Sequence, residues 1–261
     1  MKFHFIVNDR AFYQRVLHIA IPIALQSLIT IGVNMMDTVM LGSMGETQLS
    51  ASSLANQFVN VFQIFCMGLG MGASVLIARF WGMGDRENLR KSITIMLRLT
   101  LLLSTLFTLA TIIIPRGIMR LYTPDAGIID AGRRYMRWIV ACYYFQGLAL
   151  TLTLVLRNVG LMKIPLYTSI AAFFVNIFFN WVFIFGKLGM PRMEIEGAAL
   201  GTLISRAFEF AVIGGYFFFK DKSIGYRVKH ILLKCGDLVG DYIKISIPVL
   251  VSDGLLALGN N

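Results

Sequence analysis

The sequence contains few charged side chains, and this shortage excludes most soluble folds. Asp, Glu, Lys and Arg make up only 15% of the 261 residues, against about 25% in an average soluble domain. Hydrophobic residues make up 57%, and the mean hydropathy is +0.71. A soluble core cannot bury so much apolar surface, whereas a bilayer needs about 20 apolar residues for every spanning helix. The composition therefore predicts a membrane protein.

Cysteine and histidine are also scarce. The three cysteines are odd in number and widely spaced, so they give no indication of a disulfide framework. The three histidines are dispersed, and no pair has the spacing of metal ligands. A membrane-embedded enzyme should bring carboxylates or histidines together at one face, and no such pattern occurs. We therefore predict a protein that is not an enzyme and that has no cofactor and no metal centre.

The positive charge is distributed in a way that argues against a nucleic-acid partner. The formal net charge is +10, but the Lys and Arg residues form short clusters between long uncharged runs instead of one solvated stripe. Such clusters are typical of the connections between membrane spans, where they set the orientation of the chain. The predicted environment of the chain is therefore a lipid bilayer.

Six apolar segments of roughly spanning length follow one another along the chain. They cover residues 16–40, 54–78, 99–114, 138–156, 165–185 and 195–219. A seventh begins near Tyr242 and continues to the last residue, Asn261. We therefore predict an all-α, polytopic membrane helix bundle, with a six-helix N-terminal lobe and the start of a seventh helix.

The distribution of Lys and Arg predicts the orientation and the division of the chain. A cytoplasmic N-terminus places 15 of these residues in inner connections and 7 in outer ones, as the positive-inside rule requires. We expect a multi-pass protein of the plasma (inner) membrane, with a cytoplasmic N-terminus (1–15), a six-helix lobe (16–219), a cytoplasmic linker (220–241) and the beginning of a second lobe (242–261).

The connection at residues 115–137 departs from this charge rule. It contains five arginines, although the predicted orientation places it outside. Its apolar residues alternate with charges at helical spacing, which suits a short helix lying in the membrane interface. The sequence gives no reason for the arginines themselves.

The beginnings of the first and seventh spans resemble each other. His18-Ile-Ala-Ile-Pro22 recurs as Lys244-Ile-Ser-Ile-Pro248, 226 residues later. A repeat of this period predicts two equivalent halves, as in transporters whose lobes are related by an axis along the membrane normal. Since the chain ends inside an apolar run, we expect it to be a fragment of a protein roughly twice as long.

One carboxylate lies deep in the first span. Asp37 follows 21 residues without Asp, Glu, Lys or Arg. Ionisable groups at such a position are costly and usually face a cavity or a partner. The alternative is that the helix ends near Met36 and that Asp37 only touches the outer headgroups.

Three uncharged polar residues in later spans suit the same chemistry. Asn176 and Asn180 are four residues apart and share one helix face, and Thr202 lies in the sixth span. Interhelical hydrogen bonds would explain the asparagines, and a bond to its own helix would explain the threonine. Together with Asp37, these residues offer the hard oxygen ligands that a small cation, or a proton-linked network, would use.

Two further features of the spans have structural interpretations. Arg206 and Glu209 are three residues apart on the sixth span, where they can neutralise each other. We interpret them as a structural ion pair. Pro22 lies within the first span, where a proline bends a helix and frees backbone carbonyls.

An ordered set of motifs resembles the multidrug and toxic compound extrusion (MATE) transporters. The matching stretches are Ile19-Ala-Ile-Pro22 with Asp37 fifteen residues on, Gly68-Leu-Gly-Met-Gly72 followed by Ala78-Arg-Phe-Trp-Gly82, Leu156-Arg-Asn-Val-Gly160, Asn176-Ile-Phe-Phe-Asn180, and Gly197-Ala-Ala-Leu-Gly201-Thr202. The resemblance implies twelve helices in two lobes, and export of mostly cationic, amphipathic small molecules in exchange for Na⁺ or H⁺. The chain would then need its missing C-terminal lobe for transport.

The resemblance also assigns a cation site. In similar transporters, a first-helix Asp, a fifth-helix pair and a sixth-helix Thr bind the coupling ion, and they match Asp37, Asn176, Asn180 and Thr202. Some members carry Asp where this chain has Asn180. One carboxylate is then left instead of two, so the choice between Na⁺ and H⁺ stays open.

Other functions remain as alternatives. A flippase for lipid-linked oligosaccharides or peptidoglycan precursors would have a similar architecture. Such proteins tend to line their cleft with several cationic residues, whereas Arg98 and Arg206 are the only intramembrane candidates here. A truncated product without activity is also compatible with the sequence.

Overall fold

The computed structural model describes residues 10–259, with side-chain detail for 13–14 and 16–248. Its α-helices are α1 (Arg10–Gly42), α2 (Glu46–Gly82), α3 (Arg86–Ile113), α4 (Pro115–Arg120), α5 (Ala126–Ile139), α6 (Cys142–Asn158), α7 (Lys163–Phe185), α8 (Ile195–Gly215) and α9 (Gly236–Gly259). A π-helical turn (Tyr216–Lys220) and a 3-10 helix (Val228–Leu232) follow α8. The described range contains no β-strand, and the predicted all-α fold is confirmed.

The short connections follow from local chemistry. Helix α3 begins after Asp85, whose carboxylate accepts a hydrogen bond from the Asn88 backbone N–H at 3.1 Å and from its side chain at 2.6 Å. Helix α7 ends at Phe185, and the next residue, Gly186, is in the left-handed region (φ +66°), where a Cβ would crowd the backbone of Arg192. Glycine is the residue that adopts this conformation without strain.

Five helices of the described range, α1, α2, α3, α7 and α8, contain segments that are long and apolar enough to cross a bilayer. Helices α5 and α6 meet the same criterion only as a pair, with a bend of 57° between them. If this pair is one bent span, the described range contains the six predicted spans. The protein is therefore a multi-pass membrane protein.

Helix α5 begins within residues 115–137, where the sequence predicts a short helix in the membrane interface, and its position relative to a bilayer stays a prediction. A helix forms there, but Tyr135 and Met136 are buried in protein contacts, and α5 packs against α2 and α8. Its small residue Gly132 permits close approach to Met119 of α4. The alternation of apolar and charged residues shows that one side of a helix is apolar, but it does not distinguish lipid from protein as the neighbour.

Helix α1 lies at the periphery of the described bundle. It packs mainly against α7, and much of its outer surface is exposed, for example at Leu28, Met35 and Val39. This surface is apolar, as a lipid-facing side should be.

The segment between α8 and α9 is fastened to α3. Arg98 donates to the backbone carbonyls of Ile231 and Leu233, and the buried Tyr226 hydroxyl lies 2.9 Å from Thr94 Oγ1. Helix α9 begins at Gly236 rather than near the predicted Tyr242. The polar residues in its first turns lower the local hydropathy, although they are compatible with a helix.

Candidate functional site

The predicted polar residues of α1 and α7 meet in the bundle. Asn180 Nδ2 donates a hydrogen bond of 2.5 Å to Asp37 Oδ1 and a longer one, of 3.3 Å, to Asn176 Oδ1. Both asparagines are almost completely buried, at 1% and 0% exposure, whereas Asp37 is only partly buried. The alternative in which Asp37 only touches headgroups does not fit this contact, because its carboxylate is held by the interior of α7.

Helix α8 completes this group. Thr202 Oγ1 and Asn180 Oδ1 are both buried, and neither has a hydrogen-bond partner in the described part of the chain. The Asn180 oxygen lies against Gly201, where a Cβ atom would overlap it. Since unpaired buried polar atoms are costly, these two oxygens mark a site whose hydrogen-bonding capacity the protein does not use itself.

A cavity of about 280 Å³ opens beside these residues. Asp37, Asn176 and Thr202 line it, and Asn180 lies behind them, bound to Asp37. Polar and apolar side chains both contribute to its lining. Further polar lining residues are Thr30, Asn34, Thr38, Ser52, Ser53, Asn56, Asn60, Gln63, Tyr135, Gln146, Ser169 and Ser205.

Most of these lining residues were not predicted from the sequence, although one signal was present. Asn56, Asn60 and Gln63 are spaced at i, i+4 and i+7, so they follow one face of α2. Tyr135 of α5 donates to Asn56 Oδ1 at 3.1 Å, and Gln146 of α6 donates to Gln63 Oε1 at 3.3 Å. A polar stripe inside an apolar helix indicates a water-facing interior surface.

The Arg206–Glu209 ion pair forms within the cavity. Arg206 NH1 lies 2.8 Å from Glu209 Oε2, and both side chains line the cavity. The lining therefore includes two carboxylates, Asp37 and Glu209, and one guanidinium. The interpretation of the pair as purely structural stays a prediction.

The remaining predicted features lie at the edges of the site. Pro22 lies inside α1, which is continuous from Arg10 to Gly42, so the bend stays a prediction. Arg98 binds linker carbonyls and does not line the cavity. Arg157, counted from the sequence as a loop residue, instead donates from the last turn of α6 to Gln26 Oε1 of α1.

The oxygen atoms around Asp37 suit a proton or a small, hard cation. Within the described residues, no three His, Cys, Asp or Glu side chains lie close enough together to hold a metal ion. The group around Asp37 instead combines one carboxylate with amide and hydroxyl oxygens, which suit a small, hard cation. The predicted residues Asp37, Asn176, Asn180 and Thr202 are thus close together, while their role in ion binding stays a prediction.

Comparison with known proteins gives the family. A sequence model described as MatE matches residues 22–182. The chain is 25% identical over 246 residues to a "Probable multidrug resistance protein NorM" of Thermotoga maritima, covering 94% of this chain and 53% of that protein. It is 28% identical over 196 residues to a "Probable multidrug resistance protein YoeA" of Bacillus subtilis, covering 74% and 42%.

Solved structures share the fold. A transporter of the MOP superfamily from Pyrococcus furiosus superposes with a TM-score of 0.83 at 19% identity, covering 93% of this chain and 53% of that one. A structure described as "MATE in the bent conformation" gives the same values. The chain spans about half the length of the proteins it matches. Because the family model covers more than half of its residues, the chain belongs to the MatE family, whose members are transporters and not enzymes.

Proposed function

We propose that the chain forms the N-terminal lobe of a secondary transporter that exports small molecules in exchange for Na⁺ or H⁺. The observation that carries the proposal is the position of Asp37, which lines a polar cavity and is held by Asn180 beside Asn176 and Thr202. The names of the relatives as multidrug resistance proteins support export of drugs or toxic compounds. Asp37 is the residue to which we assign ion exchange.

Binding of the ion at Asp37 would replace the hydrogen bond that Asp37 accepts from Asn180. The amide nitrogen of Asn180 donates to Asp37 Oδ1, a contact that suits an ionised carboxylate. If the amide turns, its oxygen meets Asp37, and two oxygens can be neighbours only with a proton or a cation between them. Asn176 Oδ1 and Thr202 Oγ1 are the further oxygens that would complete the site.

Ion exchange would act on transport through α1. This helix carries both Asp37 and Pro22, and it packs mainly on α7. Binding at Asp37 would favour a different packing of α1 near Pro22, which changes the cleft and releases the substrate outward. An ion shifts such an equilibrium only by its difference in affinity for the two states.

The charges in the cavity support a preference for cationic substrates. Asp37 and Glu209 contribute two negative charges, and Arg206 contributes one positive charge. Organic cations that are amphipathic would gain from this negative excess and from the apolar walls formed by Ile29, Val33 and Phe173. The substrate preference is thus a proposal about the whole transporter.

The setting of the transporter is part of the proposal. We expect the chain in the plasma (inner) membrane with its N-terminus in the cytoplasm, working with a second lobe that supplies the other wall of the cleft. The ion is the only non-protein partner that the mechanism requires besides the substrate and the bilayer. No cofactor and no nucleic acid take part.

The flippase alternative gains no support from the described arginines. A pyrophosphate would need free cationic groups in the cavity, but Arg206 is paired with Glu209. Arg98 binds backbone carbonyls, and Arg157 binds Gln26. Drug export is therefore the function that we propose.

The test is the replacement Asp37→Asn in the full-length transporter. Efflux of a cationic dye from proteoliposomes, driven by a Na⁺ or H⁺ gradient, should fall to background, because the amide does not exchange a proton and has no negative charge to attract a cation. Asp130→Asn, at an exposed carboxylate of α5 outside the cavity, is the matched control and should retain efflux. Ion-driven efflux that persists in Asp37→Asn would refute the proposal.

A further inference from the structure

A second polar contact joins α1 to α7 outside the group around Asp37. Gln26 Nε2 donates to Ser169 Oγ at 2.7 Å, and each residue is only 9% exposed. The other end of the Gln26 side chain accepts a hydrogen bond from Arg157. Gln26 therefore bridges α6 and α7 from its place on α1, with both ends of its amide satisfied.

This contact is in register with the one at the ion site. Gln26 and Asp37 are 11 residues apart on α1, and their partners Ser169 and Asn180 are 11 residues apart on α7. Eleven residues make about three helical turns and roughly 16 Å. The two helices are therefore parallel, and both contacts lie on the same side of each helix.

The Gln26–Ser169 contact determines how α1 can be placed. Helix α1 has an exposed outer surface and packs mainly on α7, so few other contacts fix its rotation and its height. One residue of slippage turns a helix by about 100°, which would take Asp37 away from Asn180. A buried hydrogen bond three turns away opposes this slippage.

The contact also reaches the charged pair of the cavity. Ser169 Oγ lies 3.5 Å from Glu209 Oε1, at the long limit of a hydrogen bond, and Glu209 binds Arg206 through its other oxygen. The Gln26–Ser169 contact is thus enclosed by polar groups from α6 and α8, and its replacement by apolar groups would leave these polar groups without a partner.

We infer that Gln26 and Ser169 are positioning residues for ion binding: their contact holds α1 in the register in which the Asp37 carboxylate faces Asn176 and Asn180. The inference rests on the proposed function, since it assumes that Asp37 binds the ion. The two residues act through the backbone of α1 and touch neither the ion nor Asp37.

The experiment measures ion affinity in the purified chain, reconstituted in lipid nanodiscs. Sodium chloride is titrated against potassium chloride at constant ionic strength and, separately, the pH is lowered in potassium chloride. Binding to the folded state raises the unfolding temperature, and the ion midpoint is the concentration that gives half of this rise. The titratable groups that face Asp37, namely Arg206, Glu209, Tyr135 and Cys142, are unchanged in every positioning variant. Only Gln26→Glu adds a titratable group, and that carboxylate faces Arg157.

Ser169→Ala and Ser74→Ala form a matched pair. Ser74 of α2 accepts a 2.7 Å hydrogen bond from Asn158 Nδ2 of α6, so it has the same bond between other helices, and it does not line the cavity. Ser169→Ala should raise the ion concentration at the midpoint about fivefold, which is at the lower end of couplings between distant sites. Ser74→Ala should lower the unfolding temperature without moving the midpoint.

Two variants of Gln26 separate the polar contact from general packing. Gln26→Leu removes both hydrogen bonds and should raise the midpoint concentration as Ser169→Ala does. Gln26→Glu keeps an acceptor for Arg157, whose positive charge balances the added carboxylate. Its second oxygen can accept from the Ser169 hydroxyl, which then gives up its long hydrogen bond to Glu209. This variant should therefore restore a midpoint within about twofold of the original. If the midpoint concentration of Gln26→Glu is as high as that of Gln26→Leu, the inference is overturned.

The remaining outcomes are distinguishable. If Asp37→Asn still responds to both ions, the proposed function fails. If Asp37→Asn loses the response while Ser169→Ala keeps the original midpoint, the proposed function stands and the positioning role is wrong. Equal shifts in Ser169→Ala and Ser74→Ala also overturn the positioning role, because the effect would then be general destabilisation.

Discussion

Gly201 of α8 lies directly against the side-chain oxygen of Asn180, without room for a methyl group between them. The backbones of α7 and α8 can approach at this point only because residue 201 has no Cβ. The buried amide that holds Asp37 therefore depends on a glycine of a third helix.

Replacement of Gly201 by alanine should disturb both stability and the ion site. The added methyl group overlaps Asn180, so the amide or the helix must shift, at a cost of about 1–3 kcal/mol. Unfolding of the purified chain in mild detergent measures the stability. Gly215→Ala on the same helix is the control, because a Cβ there meets no atom within 4 Å. That control should be neutral or stabilising by about 0.5–1 kcal/mol, and a similar loss in both variants would contradict the prediction.

Replacement of Gly72 should loosen α9 from α2. Helix α9 lies close to α2 at two points. A Cβ at Gly72 would overlap Ser246 of α9, and Tyr242 of α9 donates to the Leu69 carbonyl at 2.8 Å. Gly72→Ala should cost about 1–3 kcal/mol and increase hydrogen exchange at the start of α9. Gly82→Ala on the same helix has open space around it and should leave exchange in α9 unchanged. Unaltered protection of α9 in Gly72→Ala would show that the two helices have another way to pack.

The cap at Asp85 predicts a pH dependence of stability. The hydrogen bonds from the Asn88 backbone and side chain hold the pKa of Asp85 below its ordinary value. A carboxyl group with a lowered pKa in the folded state stabilises the protein above its unfolded pKa, and this contribution is lost as the pH falls through the folded value. Asp85→Ala should therefore lower the unfolding temperature at neutral pH.

The difference between Asp85→Ala and the unmodified chain should shrink on acidification. When the carboxyl group of the unmodified chain is protonated, it no longer acts as an ionised cap, so thermal unfolding of the two should converge. Asp85→Asn should keep much of the cap at every pH, since asparagine is also a good N-cap residue. A constant difference between Asp85→Ala and the unmodified chain from neutral to acid pH would rule out this explanation.

Hydropathy alone predicted six spans, because a bilayer-spanning helix needs a long uncharged run and little else. The shared face of Asn176 and Asn180 followed from their spacing, and their nearness to Asp37 fits that expectation. The burial of α5 could not be predicted, since Tyr135 and Met136 would look the same against lipid. Gln26 gave no signal, because a single glutamine in an apolar run has no partner that the sequence identifies.

The orientation of long side chains was the other limit of prediction. Arg157 stands at the end of an apolar run and was counted with a connection, but its length lets it reach Gln26 on another helix. Arg98, inside a span by position, turns outward to the carbonyls of Ile231 and Leu233. In both cases, the side chain places its charge several ångströms from its own Cα, and a count along the chain does not record this displacement.

The binding of the segment between Lys220 and Gly236 to α3 has a mechanical consequence. Because Arg98 and the buried Tyr226 hold this segment against α3, it cannot act as a flexible linker between α8 and α9. Any movement of α9 against the preceding spans would turn between Leu233, the last residue held by Arg98, and Gly236, where the helix begins. The pivot of that movement would then be a very short segment next to α3.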